Sequence, residues 1–82
     1  MSKTQVIIYT RPGCHLCEEA KEAICAAQCF DHFKLKEINI ETDAELLQRY
    51  REDIPVIMVD GIEAFRHRVN AREFKARILG RI

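Results

Sequence analysis

The stretch Thr10-Arg11-Pro12-Gly13-Cys14-His15-Leu16-Cys17 decides how the chain is read. It follows the apolar run Val6-Ile7-Ile8-Tyr9 and precedes an alanine-rich segment with helical periodicity. The two cysteines therefore stand where a strand hands over to a helix. Pro12 and Gly13 break the strand and turn the chain. At the start of a helix, cysteines separated by two residues bring their Cα atoms within the roughly 4.4–6.8 Å that a disulfide bridges. The unpaired N–H groups of the first helical turn point toward Cys14 and favour its thiolate, the form in which a thiol reacts. This arrangement suits a dithiol that opens and closes.

Working outward, residues 4–10 form a strand, and four consecutive apolar residues predict a central one covered on both faces. Residues 15–29 read as a helix with Leu16, Ala20, Ala23, Ile24 and Ala27 on one face and Glu18, Lys21 and Glu22 elsewhere. The small alanines let that helix lie close to a sheet. Cys25 projects away from the apolar stripe, and Cys29 lies one turn further on. Their side-chain directions suit a disulfide poorly, so both read as surface thiols. A metal site built from all four cysteines would need the two ends of this helix to converge, against a rise of about 1.5 Å per residue.

Phe33 to Ile40 alternates with a change of phase around Glu37 and predicts a more exposed strand. Thr42-Asp43-Ala44-Glu45 has the form of a capping box, with Thr42 as cap and Glu45 as partner, ahead of a short helix ending near Glu52. Ile54-Pro55-Val56-Ile57-Met58-Val59 is a strand opened by proline. Asp60-Gly61 is a two-residue hairpin turn, returning through Ile62 to Arg66. Asn70 caps a last helix that buries Phe74 and Ile78 and stops at Gly80. The order is β-α-β-α-β-β-α in one domain spanning residues 1–82: an α/β fold with a four-stranded mixed sheet, a parallel opening unit, an antiparallel closing hairpin and helices on both faces.

Thirteen basic and thirteen acidic side chains cancel, so no global field favours nucleic acid or an anionic membrane. The run from Arg66 to Arg81 is rich in arginine and reads as a solvated helix face. No leader or spanning segment is visible, and with the Cys-x-x-Cys this favours a cytoplasmic redox protein over a secreted disulfide scaffold.

This element order, Tyr9-Thr10-Arg11-x-x-Cys14-x-x-Cys17 and the distant Ile54-Pro55-Val56 together resemble the thioredoxin fold, and most closely the short glutaredoxin-like proteins. The resemblance covers nearly the whole chain. It implies a thiol–disulfide oxidoreductase in which Cys14 attacks and Cys17 resolves. Arg11 would stabilise the Cys14 thiolate, with His15 adding to this when cationic. Pro55 would be the family's cis proline facing the dithiol, and Ile54 would offer its backbone to an extended peptide or to glutathione. No bound cofactor is implied, with glutathione as a co-substrate. The implied partners are a disulfide-bearing protein or glutathione, with a thioredoxin reductase or glutathione as reductant, meeting a monomer.

Three departures separate dithiol chemistry from glutathione use. The dithiol reads Cys14-His15-Leu16-Cys17 where glutaredoxins typically have Cys-Pro-Tyr-Cys. Ile8 stands where thioredoxins carry a buried Asp. Phe65 to Asn70 lacks the Gly-Gly and Asp with which many glutaredoxins hold the glutamyl end of glutathione. Two readings from other classes remain open on the sequence alone: an iron–sulfur module that uses Cys14, and a non-catalytic interaction domain that docks through the basic run.

Overall fold

The apolar run at the front of the chain becomes a central strand of the sheet. The computed structural model describes residues 4–28 and 30–80. Its elements are β1 (Thr4–Thr10), α1 (His15–Ala26), β2 (Phe33–Asn39), α2 (Ala44–Tyr50), β3 (Val56–Val59), β4 (Ile62–Arg66) and α3 (Ala71–Leu79), with short 3-10 turns at Phe30–His32 and Ile40–Thr42. The strands lie in the order β2-β1-β3-β4. β1 runs parallel to β2, from Thr4 opposite Phe33 to Thr10 opposite Asn39, and antiparallel to β3. A parallel pair needs a crossover, and α1 supplies it.

The alternation of β1 splits the interior in two. Val6 and Ile8 face a core with Ala20, Ile24, Ala27, Phe74 and Ile78, which places α1 and α3 on one side of the sheet. Tyr9 faces the other side, where Ile40 and Ile54 meet Leu46, Leu47 and Tyr50 of α2. Fully burying a side chain the size of Ile24 stabilises the fold by about 1.5–3 kcal/mol, so the stripe on α1 is what pins the helix bearing both cysteines to the sheet. Cys17 belongs to the second core although it sits on the first turn of α1.

The expected hairpin forms at Asp60-Gly61, with φ of 50° and 82°, the left-handed pair of a type I′ turn. The turn is tied to β1: Gln5 N donates to Asp60 Oδ1 at 2.9 Å, and Asp60 N donates to Gln5 O at 2.8 Å. The hairpin is not regular. Ile57 pairs with Phe65 and Met58 with Glu63, which leaves Ala64 as the extra residue of a bulge.

Several boundaries differ from the sequence reading. The helix expected over residues 15–29 ends at Ala26, because Gln28 takes the left-handed conformation (φ 53°) and turns the chain out; Cys29 lies outside the described residues. Thr42 is not the cap of α2. Its hydroxyl donates to Asn39 O at 2.7 Å within the 3-10 turn, and Asp43 caps instead, its Oδ1 accepting from Glu45 N at 2.9 Å and Leu46 N at 3.2 Å. Ile40 leaves β2 for the 3-10 turn, and Ile54 and Pro55 precede β3 rather than open it as paired residues. Asn70 does cap α3, accepting from Arg72 N at 2.9 Å and Glu73 N at 3.1 Å. Among the described residues no helix is long and apolar enough to cross a membrane.

Candidate functional site

The turn that delivers Cys14 is built from local rules. Pro12 presets the second position, Gly13 takes φ 80° at the third, and Cys14 N donates back to Arg11 O at 3.3 Å. Cys14 then stands as the N-cap of α1 in extended conformation, and its Sγ accepts the backbone N–H of Cys17 at 3.1 Å. A sulfur thus occupies the place a serine or aspartate oxygen usually takes, which directs the positive end of the helix at it.

Cys14 and Cys17 are joined as a disulfide, with Cα atoms 5.2 Å apart. Their surroundings differ. Cys14 is half-buried at the rim, whereas Cys17 is only 2% exposed and packs with Ile40 and Ile54. Cys14 is the more accessible sulfur of the two.

The remaining candidates fall unevenly around this pair. Ile54 is buried in the same cluster as Cys17, and Pro55, next in the chain, is fully buried. The Ile54–Pro55 peptide bond is cis. Pro55 O accepts from His67 N at 2.8 Å, while among the described residues no hydrogen bond engages the N–H or C=O of Ile54. Arg11 contributes its carbonyl to the turn, but its guanidinium pairs with Glu41 Oε2 at 3.3 Å, a residue with no marker in the sequence. His15 points into solvent, 88% exposed, and its Nε2 lies 3.1 Å from Glu19 one turn along the helix. Cys25 is exposed on α1, away from the dithiol. In the basic run, Arg66 bonds Glu63 bidentately at 2.8 and 3.0 Å and lies 3.5 Å from Asp53; Arg68, Arg72 and Lys75 are exposed.

A polar cluster that sequence reasoning missed lies on the α1 side of the sheet. Glu37 Oε1 accepts from the Thr10 hydroxyl at 3.5 Å and from Lys21 Nζ at 3.5 Å, and Lys21 also reaches Glu18 at 3.2 Å. The hydrogen bond that Lys21 donates to Glu18, with Glu37 adding to it, raises the Lys21 pKa above its ordinary value of 10.5. The signal was present as the phase change in β2: Glu37 stands on the face that Phe33 begins as apolar.

A four-stranded mixed sheet with helices on both faces and a paired Cys-x-x-Cys at the start of the first helix defines a thioredoxin-fold protein and supports a redox-type role. The profile of the Glutaredoxin-like domain family (DUF836) matches residues 5–79, and the chain belongs to that family. It is 38% identical over 68 residues to a glutaredoxin-like protein of Dictyostelium discoideum, described as a YDR286C homolog, covering 76% of this chain and 63% of that protein. The chain thus spans under two thirds of that relative. The X-ray structure of the protein XcR50 from X. campestris is similar at a TM-score of 0.77 and 25% identity, over 92% of this chain and 96% of that one. Oxidised mitochondrial thioredoxin 3 from Saccharomyces cerevisiae shares the fold at a TM-score of 0.68 and 11% identity, over 98% of this chain and 80% of that one.

Proposed function

We propose that the protein is a thiol–disulfide oxidoreductase with Cys14 as nucleophile and Cys17 as resolving thiol. The observation that carries this reading is the asymmetry of the pair: Cys14 Sγ sits at the helix N-terminus accepting an N–H, and Cys17 is buried behind it. In the reducing direction the Cys14 thiolate attacks a substrate disulfide, forming a mixed disulfide and releasing one substrate thiolate. Cys17 then attacks Cys14 Sγ, the bond from Cys14 to the substrate breaks, and the second substrate thiolate leaves. The dithiol gives up two electrons and the substrate disulfide gains them. A reductant dithiol or two glutathione molecules restore the starting state.

The unengaged backbone of Ile54 beside the pair supports an extended substrate, a polypeptide or glutathione, seated there by main-chain hydrogen bonds. Arg11 acts on such a substrate with a charge it shares with Glu41, and His15, out in solvent, adds charge at the rim when protonated. The cytoplasm, where thiols are kept reduced, suits this cycle.

Steady-state reduction of a disulfide by wild type, Cys14→Ser and Cys17→Ser tests the assignment. Cys14→Ser should lose turnover, and Cys17→Ser should accumulate a mixed disulfide; full turnover by Cys14→Ser would make the nucleophile assignment wrong. The reduction potential of the pair then bears on its reductant, with about −270 mV resembling thioredoxin and about −200 to −230 mV a glutaredoxin.

A further inference from the structure

The resolving step raises a question that the cysteines alone do not answer: Cys17 enters it as a buried thiol and must lose a proton. Toward α2 it belongs to a cluster with Ile40, Ile54, Tyr9 and Tyr50, in which the two phenol rings stack with centroids 5.0 Å apart and no carboxylate or imidazole takes part. On the other side Cys17 forms part of the wall of a cleft of about 140 Å³, shared with Thr10, Arg11, Glu18, Lys21 and Glu37. A water needs only about 10–15 Å³ of such space, so the cleft has room for a short chain of them.

The charged groups on that wall divide cleanly. Arg11 and Lys21 are cations with no acceptor to offer a proton, and Lys21 is held by two carboxylate partners. Glu18 follows Cys17 on the helix with its side chain 69% exposed, against 47% for Glu37. Glu37 is fixed from two elements at once, by the Thr10 hydroxyl of β1 and by Lys21 of α1. Thr10 is itself buried, 5% exposed, so its hydroxyl links the cleft to the carboxylate.

We propose that Glu37 accepts, through the Thr10 hydroxyl and water in the cleft, the proton that Cys17 loses as it attacks the mixed disulfide. Lys21 is a positioning residue that holds the carboxylate toward the cleft. The step balances: the Cys17–Cys14 S–S bond forms, the Cys14–substrate S–S bond breaks with its electron pair leaving on the substrate sulfur, and the Cys17 proton goes to Glu37. From Glu37 it passes through solvent to the departing thiolate. The proposal rests on Cys17 being the resolving thiol.

To test it, Cys14 is loaded at low pH with an aromatic thiol that absorbs on release, and release is followed after a jump to each of a series of pH values. In Glu37→Gln, release at neutral pH should be about tenfold slower, below the roughly 10²–10⁴ typical of a base in direct contact because the proton passes through a relay. The rate should converge on wild type at high pH, where Cys17 ionises unaided. Thr10→Val should behave likewise, and Thr10→Ser should restore the wild-type profile. Unchanged release in Glu37→Gln, or release slowed equally at every pH, overturns the proposal; an unaffected Thr10→Val removes the relay. Retention of the loaded thiol by Cys17→Ser checks the underlying assignment separately. If Cys17→Ser releases as fast as wild type, the resolving role itself fails, whatever Glu37→Gln does.

Discussion

Phe74 offers the sharpest test of how the scaffold is held. It is fully buried on α3 and meets Phe33 of β2 edge-to-face, with centroids 5.3 Å apart and planes at 82°. Phe65 of β4 lies at 6.2 Å and 44°, a looser contact. One ring on α3 therefore touches both edge strands of the sheet. Truncating a buried Phe to Ala costs about 3–5 kcal/mol, whereas a domain of this size has about 4–12 kcal/mol in all, at roughly 0.05–0.15 kcal/mol per residue. Phe74→Ala should thus lie at the edge of unfolding, and Phe74→Leu is the usable variant. A double-mutant cycle of Phe74→Leu with Phe33→Leu, measured by urea unfolding, should give a coupling of about 0.5–1.5 kcal/mol. The cycle with Phe65→Leu should give less. A coupling indistinguishable from zero with Phe33, or a larger one with Phe65, would refute the packing argument. Because Phe74 lies in the core under α1 and α3 and not with Cys17, folded Phe74→Leu should keep the wild-type reduction potential.

The two neighbouring hydroxyl and carboxylate residues before α2 should separate in unfolding midpoints. Asp43→Ala should lose about 1 kcal/mol as the true cap, and Thr42→Ala clearly less; the reverse order would restore the one-residue-earlier cap. Glu63 is held below its ordinary pKa of 4.5 chiefly by its hydrogen bond from Arg66. A lowered carboxylate stabilises the fold above the unfolded pKa, and that contribution is lost as pH falls through the lower folded value. Thermal melts should therefore show Glu63→Gln losing less stability than wild type between about pH 5 and about pH 3.

Much of this molecule is legible in its residues. The strand–turn–helix around the dithiol follows from Val6-Ile7-Ile8-Tyr9, Pro12 and Gly13, and Asp60-Gly61 and Asn70 mark their turn and cap by chemistry that admits few alternatives. The errors share a cause, which is that tertiary geometry chose between residues equally able locally. Thr42 and Asp43 are both good caps, and the 3-10 turn uses the first for Asn39. Gln28 carries no glycine-like signal yet adopts the left-handed turn that ends α1. At the site, Cys14, Cys17 and Ile54 share one apolar cluster; the two cysteines stand out by their spacing, whereas Ile54 and Pro55 stand out only through the resemblance. The Arg11–Glu41 pair and the Glu37–Lys21–Thr10 cluster depend on how strands and helix face one another across the sheet, which no local pattern encodes.

The account turns on which sulfur a substrate meets first. The direct measurement is to expose reduced Cys17→Ser protein to a disulfide, quench, and map the adduct by mass after digestion that preserves disulfides. A single adduct on Cys14, absent from wild type because Cys17 has displaced it to leave the Cys14–Cys17 disulfide, is the predicted result. An adduct confined to Cys25, or none at all, would contradict it.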